Sequence, residues 1–170
     1  MLKAAYMAGC AFTKSYVGYV HAVAHTLGGK YNTPHGLANS VILPVVLKEY
    51  GKAVHKKLYK LAILTNVADK NDSYSVAANK FIDKIINLNN EMSIPSGFDF
   101  IMKEDINMMS EFAYKEANPL YPVPKLWSRE KIKELINTEN EKPILLVPDQ
   151  FSFENERAML GLLGAKDMQK

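Results

Sequence analysis

Three of the four histidines in this 170-residue sequence, His21, His25 and His35, fall within fifteen positions of one another. His21 and His25 are four residues apart, so on a helix both side chains face the same side about one turn apart. Because imidazole binds metals and carries protons, this spacing suits shared work on one metal or one substrate. The pair alone is equally compatible with two core histidines bonded to backbone carbonyls.

The third histidine favours the chemical interpretation. Thr33 and Pro34 predict a helix start just before His35, with Thr33 as the N-cap and Pro34 at the first helical position. The positive end of the helix dipole disfavours an imidazolium there, and the neutral form is the one that binds metals. Gly28-Gly29 is expected to form the turn that brings His35 back to the first two.

These histidines do not complete a catalytic metal site, which commonly takes three protein ligands and often a carboxylate. The nearest carboxylate in sequence, Glu49, lies fourteen residues beyond His35. The remaining ligands must therefore come from a distant part of the chain, another chain or lost sequence. Ala22 follows His21 where a zincin would carry its glutamate base. His55, flanked by lysines, is interpreted as a solvated surface residue.

The elements around the histidines predict an all-α body, a helical array without a sheet before residue 140. The segment from Met1 to about Leu27 is apolar nearly all round, which predicts a buried helix, although no capping residue precedes its first turn. Asp72 or Ser73 and Ser128 are predicted to cap later helices. Apolar spacing predicts these inward positions in four further helices: Val54, Leu58, Leu61, Ala62 and Thr65; Ala77, Phe81, Ile85, Leu88 and Met92; Ile106, Met109, Phe112 and Ala113; and Ile132, Leu135 and Ile136.

The composition changes after Asn137, so we expect a metal-binding helical domain over 1–137 and a linker and tail over 138–170. The tail contains a short apolar run, 144–147, typical of a buried strand, and Ser152 is predicted to cap a final helix. It should behave separately from the body.

Charge and composition exclude several classes of protein. A net charge of +3, from 21 basic and 18 acidic residues, is too balanced for an electrostatic nucleic-acid binder. One cysteine, Cys10, excludes an internal disulfide framework and indicates a reducing compartment, and no secretory signal is evident. The longest uncharged stretch near the start is too short to span a bilayer. We therefore expect a cytoplasmic protein without a membrane or nucleic-acid partner.

Motifs along the first 44 residues carry a family resemblance. The sequence resembles the signature of the iron-containing (group III) alcohol dehydrogenases, and a weaker likeness continues through the Asn118-Pro119 region to about Ile136. The matching stretches are Ala8-Gly9-Cys10-Ala11-Phe12, Gly18-Tyr19-Val20-His21-Ala22-Val23-Ala24-His25-Thr26-Leu27-Gly28-Gly29, Asn32-Thr33-Pro34-His35-Gly36-Leu37-Ala38-Asn39 and Leu43-Pro44.

The resemblance implies the C-terminal helical domain of an oxidoreductase that interconverts an alcohol and its aldehyde or ketone with NAD or NADP. In the family one aspartate and three histidines hold a divalent metal, usually iron and sometimes zinc. His21 and His35 match the last two of these histidines. His25 matches a histidine near the nicotinamide that helps proton relay, so His25 and, beside it, His35 are expected at the cofactor. Phe12 matches a pocket-lining aromatic residue.

Other features depart from the family. Its aspartate, its first histidine ligand and its N-terminal nucleotide-binding domain have no counterpart here, so we expect a truncated chain that is inactive alone. A homo-oligomer is possible in such a family. The tail weakly resembles an early strand and helix of the ATP-dependent helicase/nuclease family, in its B-type subunits. The alternative to a dehydrogenase fragment is a non-catalytic helical module that binds metal or a partner.

Overall fold

The computed structural model describes residues 1–141, and within that range it contains α-helices and no strand. The predicted all-α class and the predicted absence of a sheet from the body are confirmed. Seven helices follow one another: α1 (Leu2–Ser15), α2 (Tyr19–Tyr31), α3 (His35–Tyr50), α4 (Lys52–Leu64), α5 (Tyr74–Glu91), α6 (Ile106–Ala117) and α7 (Arg129–Glu141).

Two of the predicted helix starts are confirmed by their capping hydrogen bonds. The Ser73 hydroxyl accepts a bond from the Val76 N–H at 3.2 Å, and the Ser128 hydroxyl accepts one from the Lys131 N–H at 3.2 Å. Each bond satisfies a backbone donor that the first turn of a helix would otherwise leave unpaired. Asp72, the alternative cap of α5, instead pairs with Lys80 at 2.7 Å.

The core is centred on α2, which packs against α3 and α6, while α6 packs on α7 and α4 packs on α5. Three of its aromatic rings form a cluster: Trp127 stacks on Tyr19 with ring centres 4.6 Å apart and lies 4.8 Å from Tyr50. The Tyr19 hydroxyl accepts a bond from the Trp127 backbone N–H at 2.9 Å and donates one to the side-chain oxygen of Asn118 at 3.1 Å. These bonds fix the connector between α6 and α7 to the start of α2.

The prediction of one buried helix from Met1 to about Leu27 is wrong. The helix is interrupted at 16–18, where Tyr16 has a φ of 59°, and α1 contains no buried residue. Only the second half, α2, is packed, with Tyr19, Ala22 and Val23 buried. The absence of a capping side chain at the first turn is confirmed. An apolar composition therefore does not by itself supply the neighbours that would cover a helix.

The predicted inward stripes are partly wrong. Six of the predicted residues in α4 and α7 are buried, as expected: Val54, Leu58, Ala62, Ile132, Leu135 and Ile136. Other predicted positions are exposed, among them Leu61, Leu88, Met92 and Phe112. In α5 the buried set is Ala77, Ala78 and Ile82. Periodicity identifies the apolar side of a helix, but the neighbouring helices decide how much of that side is covered.

The end of the body also differs from the expectation, because α7 continues to Glu141 and includes residues that were expected to form a linker. The predicted strand at 144–147 and the helix capped by Ser152 lie outside the described residues. Across residues 1–141, no helix combines the length and the apolar character that a membrane crossing requires.

Candidate functional site

The three clustered histidines of the sequence meet in space. The ring centres of His21 and His35 are 5.3 Å apart, those of His25 and His35 are 5.4 Å apart, and those of His21 and His25 are 5.9 Å apart. Two imidazoles on one tetrahedral metal, with metal–nitrogen bonds of about 2.0–2.1 Å, would have ring centres roughly 5 Å apart. The separation of His21 and His35 is therefore compatible with one shared ion.

The chain reverses between the two histidine-bearing helices by a different turn from the predicted one. Gly28 and Gly29 lie inside α2, and the helix ends at Asn32, whose φ of 54° is left-handed. Asparagine tolerates this conformation better than most residues. Pro34 occupies the N-cap and His35 begins α3, so Thr33 is not the cap. The prediction erred because a Gly-Gly pair is tolerated within a packed helix.

His21 is half-buried, whereas His25 and His35 are exposed. Burial first, and then the nearby His35 and His25, lower its pKa below the ordinary value of 6.5, while Glu116 acts in the opposite direction. A neutral imidazole keeps a lone pair for a metal or for a substrate proton. Crowding three imidazoles together therefore favours the form that can act as a ligand.

His35 is oriented by Asn39, one turn further along α3. The Asn39 amide nitrogen donates to the His35 backbone carbonyl at 2.9 Å and lies 3.0 Å from His35 Nε2. With the amide as donor, Nε2 is the acceptor of that second bond. A metal bound at this nitrogen would have to take the place of the amide proton.

A carboxylate that sequence reasoning missed contacts the cluster. Glu116, near the end of α6, places Oε1 2.7 Å from His25 Nδ1, and the Tyr121 hydroxyl donates to the same oxygen at 2.7 Å. Burial, and then the bond to Glu116, raise the pKa of Tyr121 to about 12, so its hydroxyl keeps its proton at neutral pH. Glu49, the carboxylate nearest to the histidines in sequence, pairs instead with Lys131 at 2.7 Å.

Ninety-one positions separate Glu116 from His25 along the chain. The local signal that could have found it is its place two residues before Asn118-Pro119, the second region that resembles the family. The bond between Tyr19 and Asn118 brings that region onto α2.

The other two singled-out residues lie apart from these contacts. Phe12 is on α1 with 54% of its surface exposed. His55, expected to be solvated, is half-buried on α4 and lines an open groove of about 410 Å³ with Lys48 and Asp83. Within the described part of the chain, no group of three or more histidine, cysteine or acidic side chains is arranged to hold a metal ion.

Comparison with known proteins identifies the chain. Residues 1–139 match the family model described as Fe-containing alcohol dehydrogenase family, C-terminal. The sequence is 40% identical over 120 residues to 1,3-propanediol dehydrogenase of Klebsiella pneumoniae, which covers 69% of this chain and 31% of that protein. It is 33% identical over 114 residues to lactaldehyde reductase of Escherichia coli K12, which covers 66% of this chain and 30% of that one.

Solved structures agree with the sequence matches. Alcohol dehydrogenase from Oenococcus oeni superimposes with a TM-score of 0.71 at 30% identity, over 78% of this chain and 35% of that one. A 1,3-propanediol oxidoreductase gives a TM-score of 0.66 at 33% identity, over 72% and 32% of the two chains. The chain spans about a third of the length of these relatives. It belongs to the iron-containing alcohol dehydrogenase family, of whose C-terminal helical region it is an example.

Proposed function

We propose that this chain is the metal-binding helical part of a cytoplasmic, NAD- or NADP-linked alcohol dehydrogenase, which interconverts an alcohol and its aldehyde or ketone by hydride transfer. The observation that supports this proposal is the convergence of His21, His25 and His35, with ring centres 5.3–5.9 Å apart. All three lie inside the region that matches the family. In this proposal residues 1–137 are the metal-binding domain, and the chain from 138 onward, which begins with the last residues of α7, is a linker and a tail of separate origin.

His21 and His35 would hold the divalent metal, Fe²⁺ or Zn²⁺. The ring separation of 5.3 Å suits one ion, and the lowered pKa of His21 favours the neutral form of that ring. Because described residues supply only part of a ligand set, the remaining ligands would come from the rest of the enzyme. We therefore expect weak metal binding and no turnover by the chain alone.

When bound, the metal and the nicotinamide supply a Lewis acid for the substrate oxygen and an acceptor for the hydride. His25 would accept the hydroxyl proton of the alcohol and pass it to solvent, to which 44% of its side chain is open. His35, stacked on His25 with ring centres 5.4 Å apart, would border the nicotinamide. Phe12 would line the substrate pocket.

The exposed apolar surface of α1 supports the proposal that a further part of the enzyme packs here. Tyr6 is 74% exposed, Met7 60% and Phe12 54%, although α1 lies within the region that matches the family. Exposed apolar surface of this extent is typical of a face that packs against another protein segment. The nucleotide-binding part of the enzyme is the partner that the family provides.

A chimera tests this function. The whole chain replaces the matching C-terminal region of the Klebsiella 1,3-propanediol dehydrogenase, and NAD-linked oxidation of 1,3-propanediol is measured. We expect activity that His21→Ala or His35→Ala abolishes and that His25→Ala lowers by about 10²–10⁴-fold. His55→Ala is the control and should leave activity unchanged, because His55 lies in a different groove.

Two results would contradict the proposal. One is an active chimera that tolerates both His21→Ala and His35→Ala, since the metal would then be held elsewhere. The other is alcohol oxidation with NAD or NADP by the purified chain alone, which would mean that the described residues complete a site by themselves.

A further inference from the structure

Glu116 makes two hydrogen bonds through one oxygen atom. Its Oε1 accepts the Tyr121 hydroxyl at 2.7 Å and lies 2.7 Å from His25 Nδ1. Both distances are short, as expected for hydrogen bonds to a charged acceptor. The carboxylate thereby connects the proposed proton carrier on α2 with the connector that follows α6.

The direction of these bonds follows from the chemistry of the groups. An ionised carboxylate only accepts hydrogen bonds, so in neutral His25 the proton must sit on Nδ1. The two ring nitrogens of a neutral imidazole share one proton, and Nε2 is then left with its lone pair. Glu116 therefore selects one of the two tautomers.

We propose that Glu116 is a positioning residue that holds His25 as the Nδ1–H tautomer, so that Nε2 is always available as the proton acceptor. The inference rests on the proposed function of His25 and adds a residue on which that function depends. Without the carboxylate the ring would exchange between two tautomers, and only one of them could take the alcohol proton at Nε2.

Tyr121 and Asn118 hold the carboxylate in place. Tyr121 donates to Glu116, and its backbone N–H bonds to the Ala117 carbonyl at 2.9 Å. Asn118 accepts from the buried Tyr19 at 3.1 Å, so the segment that follows Glu116 is anchored to the core. A side chain 30% exposed would otherwise be free to change rotamer, whereas these contacts restrict it to the orientation that meets His25.

Nitrogen-15 NMR of the imidazole rings, recorded on the whole chain, measures the tautomer directly. The pH is raised until the imidazole shifts no longer change with pH, so that the spectra report neutral rings. The wild-type chain should give His25 with the shifts of a single Nδ1–H tautomer. Glu116→Leu removes the acceptor with little change of size and should give exchange-averaged shifts of both tautomers.

Three further variants sharpen the result. Glu116→Gln keeps an acceptor oxygen without the charge and should give an intermediate shift. Tyr121→Phe keeps the carboxylate and should retain the Nδ1–H form. Glu111→Gln is the matched control on the same helix, since Glu111 pairs with Lys115 and Arg129, and it should leave the His25 shifts unchanged. Far-ultraviolet circular dichroism confirms that each variant is folded.

Two outcomes would overturn the inference: an Nε2–H tautomer for wild-type His25, or an unchanged Nδ1–H signal in folded Glu116→Leu. The measurement needs neither metal nor nicotinamide, so it is separate from the test of the dehydrogenase function. A chimera that stays active in both His21→Ala and His35→Ala would overturn that function and leave the tautomer intact. An active chimera whose His25 is the Nε2–H form would overturn the role of Glu116 alone.

Discussion

α1 and α2 are similar in apolar composition and opposite in environment. Both combine small residues with large apolar or aromatic ones and contain few charged residues. In α2, Tyr19 and Ala22 are fully buried, whereas Tyr6 in α1 is 74% exposed. Burial of apolar surface stabilises a fold by about 25 cal/mol per Å², and α1 contributes little of it within the described residues.

The composition of a helix therefore reflects the environment for which it is suited, while its burial depends on the neighbours that are present. α2 has α3 and α6 as neighbours, and its residues are matched to theirs. Pairs of equivalent substitutions in the two helices can therefore separate the intrinsic effect of a residue from the effect of its packing.

Tyr19→Ala and Tyr6→Ala form the pair with the largest expected contrast. Removing the buried Tyr19 ring, which stacks on Trp127, should lower the free energy of unfolding by about 3–5 kcal/mol. Tyr6→Ala should change it by less than about 0.5 kcal/mol, because the ring is exposed. Urea unfolding followed by circular dichroism measures both.

Tyr19→Phe supports the same comparison if Tyr19→Ala does not fold. It keeps the ring and leaves the Trp127 backbone N–H without its acceptor, at a cost of about 1–3 kcal/mol. Equal losses from Tyr6→Ala and Tyr19→Ala would mean that α1 is packed like α2.

Ala22→Leu and Ala8→Leu give the second contrast. Ala22 is fully buried, so the added atoms must displace packed neighbours at a cost of about 1–3 kcal/mol. Ala8 is exposed, and leucine is nearly as good a helix former as alanine. Ala8→Leu should therefore leave the urea midpoint unchanged; a comparable loss would indicate a close neighbour of α1.

Sequence patterns predicted the helices well where interactions between residues close in sequence determine the structure. The caps Ser73 and Ser128 follow from side chains that reach their own backbone, and the inward face of α7 follows from its regular spacing. The His21 and His35 pairing followed from family-like motifs, and the structure places the two rings 5.3 Å apart.

Long-range features were not predictable from the same patterns. Glu116 meets His25 only because α6 packs on α2 and Tyr19 binds Asn118, and the family-like Asn118-Pro119 nearby does not show which helix this region contacts. The turn at Asn32 was missed because glycine is the commoner residue at a helix end, and Gly28-Gly29 offered a competing signal a few residues earlier.

Helix caps provide a smaller contrast between α1 and the packed part of the array. The first turn of α1 has no side-chain cap, whereas Ser73 caps α5 through the Val76 N–H. Ser73→Ala should lower the free energy of unfolding by about 1 kcal/mol, measured by urea denaturation. Lys3→Ala, in the uncapped first turn of α1, is the control, and a similar loss from it would argue against capping as the cause.

The smallest expected effect concerns the polar side of α2, which is hydrogen-bonded to α6. Within the described residues α1 has no such bond to another helix. Burial is the largest cause of the raised pKa of Tyr121, and the bond and charge of Glu116 follow. Glu116→Gln should therefore lower this pKa from about 12 while leaving it above the ordinary value of about 10. Carbon-13 NMR of labelled tyrosine, with Glu111→Gln as the control, measures the change.

The same shift predicts how stability depends on pH. The pKa of Tyr121 is higher in the folded chain than in the unfolded one, so the phenol stabilises the fold fully below about pH 10 and loses that contribution as the pH rises toward about 12. Glu116→Gln lowers the upper limit of this pH range, because the pKa of Tyr121 falls in the folded chain and not in the unfolded one. Urea midpoints measured across this alkaline range should therefore decline less steeply in Glu116→Gln than in the wild-type chain. A steeper decline in the variant would mean that Glu116 stabilises the ionised phenol, which would contradict the hydrogen bond that joins Tyr121, Glu116 and His25.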